Sequence, residues 1–121
     1  MILLIEDDAI SRASFAETLR RYGYEVLEAG DGGEALALLE EHHSAFELVI
    51  TDMVVPGVDG LNLINKIHHR WPKIPVIMVS AYLSKDNGEN ILGPHVDFLV
   101  KPVTSAALVS MVKRHTSHTH R

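Results

Sequence analysis

The sequence predicts an α/β fold, a parallel sheet with helices on both faces. Two observations carry that prediction. Five short apolar runs rich in β-branched and leucine side chains lack the alternation of a half-exposed strand, which suits strands buried on both faces. The segments between most of these runs repeat their apolar residues at three and four positions, the period of a helix lying on a sheet.

Taken in order, Ile2 to Ile5 is the first run. Phe15, Leu19 and Tyr22 then mark the first helix, and residues 26–27 form a weaker second strand. Ala35, Leu36 and Leu39 mark the second helix, followed by a third strand at residues 48–50. Leu63, Ile64, Ile67 and Trp71 mark the third helix, and residues 76–79 the fourth strand. Residues 98–100 are the fifth strand, and Leu108, Met111 and Val112 mark the last helix, with Thr104 or Ser105 as its N-cap. Residues 84–92, where a helix belongs between the fourth and fifth strands, are poor in helix formers, and Gly93-Pro94 stops any helix there. That element is expected to be short, displaced or partly unwound. Right-handed crossovers restrict five such βα units to a few topologies. One is the flavodoxin-like doubly wound (βα)5 sandwich, a five-stranded parallel sheet in the order 2-1-3-4-5, whose ligands bind at the carboxyl ends of the strands.

Composition narrows the function. The 121 residues fit one domain over 1–121, with 115–121 expected to be a frayed polar tail. Eleven basic against sixteen acidic residues leave a net charge of −5, which argues against direct binding of nucleic acid or an anionic membrane. The absence of cysteine excludes disulfides, thiolate metal sites and a cysteine nucleophile, and it suits a reducing cytoplasm. No apolar run approaches the ~20 residues that span a bilayer. Acidic residues follow only four apolar residues after Met1, so no signal peptide is expected.

Polar residues recur directly after the strands. The first strand runs into Glu6-Asp7-Asp8, the third into Thr51-Asp52, the fourth into Ser80 and the fifth into Lys101-Pro102. In a parallel sheet all these ends share one edge. Carboxylates gathered there repel one another. An oxygen-ligated divalent cation, Mg2+ with Mn2+ as a substitute, removes that conflict. A lysine and a hydroxyl opposite would hold phosphoryl oxygens, and an aspartate can itself be the nucleophile. Each piece has an ordinary reading as well. Acidic residues commonly start helices, and Asp8 keeps that reading. Phe98 suits a core, and Pro56-Gly57 and Asp59-Gly60 are turn signals.

The combination Ile2-Leu3-Leu4-Ile5, Glu6-Asp7-Asp8, Arg12, Thr51-Asp52-Met53, Pro56-Gly57, Asp59-Gly60, Ser80-Ala81 and Phe98-Leu99-Val100-Lys101-Pro102 resembles the receiver domains of bacterial two-component response regulators. The resemblance covers nearly the whole chain, in order. It implies that Asp52 is the phosphoacceptor. It implies that Asp7 ligates the metal directly, that Glu6 acts through metal-bound water, and that the Val54 carbonyl is a further ligand. Lys101 would pair with the phosphoryl oxygens, Ser80 would be the switch hydroxyl and Phe98 the switch aromatic. The Lys101-Pro102 bond would be cis. The implied function is Mg2+-dependent transfer of a phosphoryl group from a sensor histidine kinase or histidine phosphotransfer protein to Asp52. That transfer would switch a protein-binding surface on a cytoplasmic monomer or weak dimer. Such a chain is not an enzyme on separate substrates, since it catalyses only its own phosphorylation and dephosphorylation. No output domain follows residue 121 here, which leaves open a free regulator, a phosphorelay intermediate or part of a larger protein.

The alternative is a small aspartate-nucleophile phosphatase or phosphotransferase on a related α/β fold. Haloacid-dehalogenase-type enzymes place an acid/base aspartate two residues after the nucleophile, and Val54 in that position cannot move a proton. A flavodoxin would need a hydroxyl- and glycine-rich phosphate loop where Glu6-Asp7-Asp8 stands.

Overall fold

The computed structural model describes residues 1–52, 54–55, 58–80 and 96–116. Five strands form one sheet: β1 (Ile2–Ile5), β2 (Val26–Ala29), β3 (Leu48–Asp52), β4 (Val76–Ser80) and β5 (Val96–Val100). Every neighbouring pair is parallel and the order is β2-β1-β3-β4-β5, the doubly wound order expected from the sequence. A two-residue antiparallel ribbon, Val54–Val55 with Val58–Asp59, follows β3.

Burial on both sides explains why the strands read as unbroken apolar runs. All four residues of β1 are buried. Leu3 and Ile5 join one core with Ala35 and Leu39 of α2 (Gly32–His42) and with Leu63, Ile64 and Ile67 of α3 (Gly60–Arg70). Ile2 and Leu4 point the other way, to Ala16 and Leu19 of α1 (Ala9–Arg21) and Leu108 and Val112 of α4 (Ser105–Thr116). A strand in this position must be apolar at every residue, and each such side chain contributes about 1.5–3 kcal/mol of burial.

The helix ends follow local chemistry. Asp8 caps α1 by accepting the Ser11 N–H at 2.8 Å. After Tyr22 the chain turns at Gly23, whose φ of 95° suits glycine. Asp31 caps α2 through the Glu34 N–H at 2.8 Å. Of the two caps expected for α4, Thr104 takes the role, its Oγ1 accepting the Ala107 N–H at 3.0 Å.

Two expectations are corrected. Tyr22 does not join the apolar stripe of α1: it is 53% exposed, and Tyr24 occupies the buried place beside that helix. Residues 115 and 116 do not belong to a frayed tail. They complete α4, where Thr116 is fully buried, its hydroxyl donating to the Val112 carbonyl at 2.8 Å and lying 3.0 Å from the Tyr24 hydroxyl. His115 lies 2.7 Å from Asp97 of β5. The stripe of Leu108 and Val112 thus continues one further turn. The expected weak helix at 84–92, along with Met53, Pro56, Gly57, Ala81 and residues 117–121, lies outside the described residues.

Candidate functional site at the carboxyl edge of the sheet

β1, β3 and β5 end on the same edge, and their last residues or the residues just after them meet there. Asp52 is the final residue of β3 and is 8% exposed. Glu6 follows β1, its N–H still bonded to the Ala29 carbonyl at 3.0 Å, and is 4% exposed. Asp7 comes next and is exposed. One carboxylate oxygen from each of Glu6, Asp7 and Asp52 lies within 4.8 Å of the others. Lys101, just beyond β5, donates from Nζ to Asp52 Oδ2 at 2.7 Å, and the Lys101-Pro102 peptide is cis.

The electrostatics follow from this crowding. Burial pushes the Glu6 carboxyl up to about 7, only partly opposed by the Asp8 N–H that Glu6 accepts at 3.3 Å. The hydrogen bond shared with Asp7 and the charge of Asp52 raise it further. Lys101 is held above the ordinary lysine range by its hydrogen bond to Asp52, with the charges of Asp52, Glu6 and Asp7 adding to that effect. Asp8 stands apart: bonding to Ser11 lowers its pKa, and its role is to cap α1.

Three carboxylates facing one lysine form an oxygen-only donor set that suits a hard divalent cation. Burial is the main cause of the raised Glu6 carboxyl and its acidic neighbours add to it; a bound cation would offset both by favouring the charged form. The cluster therefore fits Mg2+ or Mn2+. Phosphoryl chemistry needs the same features, a nucleophilic carboxylate with a cation on either side.

The other residues expected at the site are described to different depths. Ser80 ends β4, in register with Val100, one position beyond Val79, the partner of Asp52. Phe98 lies on β5 beside Met78 and packs, partly buried, against the core that α2 and α3 cover. Val54 is in the short ribbon directly after the site, paired with Asp59.

Sequence reasoning gave no role to Arg12 or Glu28. In the structure Arg12 Nη1 donates to the Glu6 carbonyl at 2.8 Å, and its Nε lies 3.4 Å from Glu28. Arg12 stands among the residues that carry the resemblance, but no local signal pairs it with the Glu6 carbonyl or with Glu28. The Asp97–His115 pair was also missed, although the 108-112-115 spacing of α4 contained the signal.

Comparison with known proteins agrees with this geometry. The family model described as "Response regulator receiver domain" matches residues 2–113. The response regulator protein FleR of Pseudomonas aeruginosa is 37% identical over 115 residues, covering 94% of this chain and 24% of that protein. The sensor kinase CckA of Brucella abortus is 34% identical over 113 residues, covering 93% of this chain and 12% of that protein. A response regulator receiver domain from Clostridium thermocellum superposes with a TM-score of 0.87 at 27% identity, covering 97% of this chain and 94% of the other. The chain thus spans about a quarter or less of these two curated relatives.

Proposed function

This chain belongs to the response regulator receiver domains, and from that premise we propose that it accepts a phosphoryl group on Asp52 in a reaction that needs Mg2+. The carrying observation is the 2.7 Å contact between Lys101 Nζ and Asp52 Oδ2, beside two further carboxylates that converge on the same point. The donor is the phosphohistidine of a sensor kinase or of a histidine phosphotransfer protein. An Asp52 carboxylate oxygen attacks phosphorus, the P–N bond breaks, and the donor imidazole leaves with the electron pair. Lys101, kept protonated by its acidic neighbours, then pairs with a phosphoryl oxygen. Asp7, Asp52 and the Val54 carbonyl would hold the Mg2+, with Glu6 acting through its water. The ion supplies charge neutralisation for the incoming phosphoryl group. Water later hydrolyses the acyl phosphate, so the chain acts catalytically only on itself.

Phosphorylation works as a switch only if it favours one of two conformations. Ser80 and Phe98 are assigned to that change, Ser80 by its place at the end of β4 and Phe98 by its partial burial on β5. The downstream target is a protein. The net charge of −5 speaks against direct contact with nucleic acid or membrane, and among the described residues no helix is long and apolar enough to cross a bilayer. A cytoplasmic monomer or weak dimer fits this role.

The test is intact-mass spectrometry after incubation with acetyl phosphate and Mg2+. Wild type should gain one phosphoryl group and Asp52→Asn none. Metal-dependent labelling of the Asn variant at another residue would refute the assignment of Asp52. For the switch, Ser80→Ala should still take up phosphate while losing most of the change in amide exchange that phosphorylation causes in wild type. An undiminished exchange response would remove Ser80 from the mechanism.

A further inference from the structure

We propose that Arg12, steadied by Glu28, is a positioning residue for the metal site: it pins the Glu6 carbonyl and so orients the adjacent carboxylates of Glu6 and Asp7. This rests on the reading that those carboxylates, with Asp52, hold Mg2+.

The need for such a residue follows from where β1 stops. Its last ladder partner is Ile5 with Ala29 and Thr51. The Glu6 N–H still reaches the Ala29 carbonyl, but the Glu6 carbonyl lies beyond the sheet ladder. Arg12 Nη1 satisfies it at 2.8 Å from the first turns of α1. That peptide carries Glu6 on one side and Asp7 on the other, so any rotation of it swings both side chains.

Arg12 is itself gripped. Its Nε lies 3.4 Å from Glu28 Oε1 on β2. The other oxygen of that carboxylate is 3.1 Å from Arg20 Nη1, and Arg20 Nη2 donates to the Val26 carbonyl at 2.8 Å. One glutamate thus ties both ends of α1 to β2 and delivers Arg12 to the end of β1. The task needs a donor for the carbonyl and a charge beside the carboxylate, set apart in one rigid plane, which a guanidinium provides and an ammonium does not.

Gly30 supplies an independent observation. Its φ is not in the left-handed region, so the backbone does not require glycine there. A Cβ at that position would lie 3.2 Å from Arg12 Nη1, closer than an ordinary contact. The missing side chain leaves the guanidinium its place.

The experiment is calorimetric titration of the full chain with Mg2+, paired with thermal unfolding in EDTA. Partners behind metal ligands are commonly worth about 10–100-fold in affinity, so Arg12→Ala should weaken Mg2+ binding about tenfold. Arg12→Lys should stay clearly weaker than wild type, because an ammonium is one compact centre without the rigid plane that sets Nη1 and Nε apart. Glu28→Gln and Gly30→Ala should each weaken binding by a smaller factor, and they carry the test if Arg12→Ala does not fold. Wild-type Mg2+ affinity in Arg12→Ala, whatever its thermal stability, would overturn the proposal by making Arg12 a purely structural strut. Full rescue by lysine would overturn it too, since charge alone would then suffice. Wild type and Asp7→Ala are titrated alongside. If wild type binds no Mg2+, the metal site and its positioning residue fall together. If wild type binds and Asp7→Ala does not, the metal site stands and the Arg12 variants alone decide the inference.

Discussion

Where the strands begin, charges meet in pairs. The Met1 ammonium lies 3.0 Å from Glu47, and the Glu47 N–H returns a hydrogen bond to the Met1 carbonyl at 2.9 Å. Where the strands end, Glu6, Asp7 and Asp52 crowd within 4.8 Å, and Lys101 Nζ meets them at 2.7 Å from Asp52. Both edges belong to the same sheet and are backed by the same apolar core. The first arrangement asks nothing beyond staying folded. The second gathers carboxylates together, and burial, with Asp7 and Asp52 adding to it, raises the Glu6 carboxyl to about 7. Such a cluster lowers the stability of the metal-free fold, and it gains a purpose once a cation and a phosphoryl group complete it.

The strongest way to break this contrast is at Asp7. Asp7→Ala should raise the Kd for Mg2+ by about tenfold or more while leaving the metal-free protein as stable as wild type or more so, because repulsion is relieved. Asp8→Ala should do the reverse, lowering Tm through loss of the α1 cap with little change in Mg2+ affinity. Equal effects of the two substitutions in titration and melting would show that the first-strand acids are interchangeable.

Titration sharpens the comparison. The folded state raises the Glu6 pKa from 4.5 to about 7, so it holds that proton more tightly than the unfolded chain does. This stability is fully present below pH 4.5 and is lost as pH rises through 7. Without metal, stability should therefore fall across that window, by up to about 3 kcal/mol for a shift of this size. Glu6→Gln should flatten the fall, and so should saturating Mg2+. Urea unfolding at several pH values measures it, and a slope unchanged by Glu6→Gln would assign the effect elsewhere.

The smallest effect belongs to the matched edge. Glu47→Gln removes a partly exposed ion pair with the amino terminus and should cost no more than about 1 kcal/mol in urea unfolding. Mg2+ affinity should not change. A larger loss, or a change in metal binding, would mean that the two edges are coupled through β1.

Much of this molecule was legible because its signals are local. An apolar strand such as residues 2–5 reports burial on both faces, and the helix period of Leu63, Ile64 and Ile67 reports a face against the sheet. The polar residue after each strand could be assigned to one edge because parallel strands end together. Errors arose where one residue's fate depends on a distant partner. Tyr22 and Tyr24 both lie near the end of α1, and only the packing of α4 decides that Tyr24 is buried, with Thr116 bonded to its hydroxyl. His115 read as part of a polar tail because nothing nearby in sequence marks Asp97 as its partner.

The sequence alone determined the alternation of strands and helices, the edge at which chemistry gathers, and the residue types available there. These follow from periodicity and from the chemistry of single side chains. Only the tertiary structure decided that Asp8 bonds the Ser11 N–H and that carboxylate oxygens of Asp7, Glu6 and Asp52 come within 4.8 Å of one another. It alone decided that Lys101 reaches Asp52 across 49 residues of chain, and that Arg12 closes on the Glu6 carbonyl with Glu28 behind it. The physical reason is that hydrogen bonds and ion pairs act over a few ångströms, and the residues brought within that range are chosen by the packing of whole strands and helices.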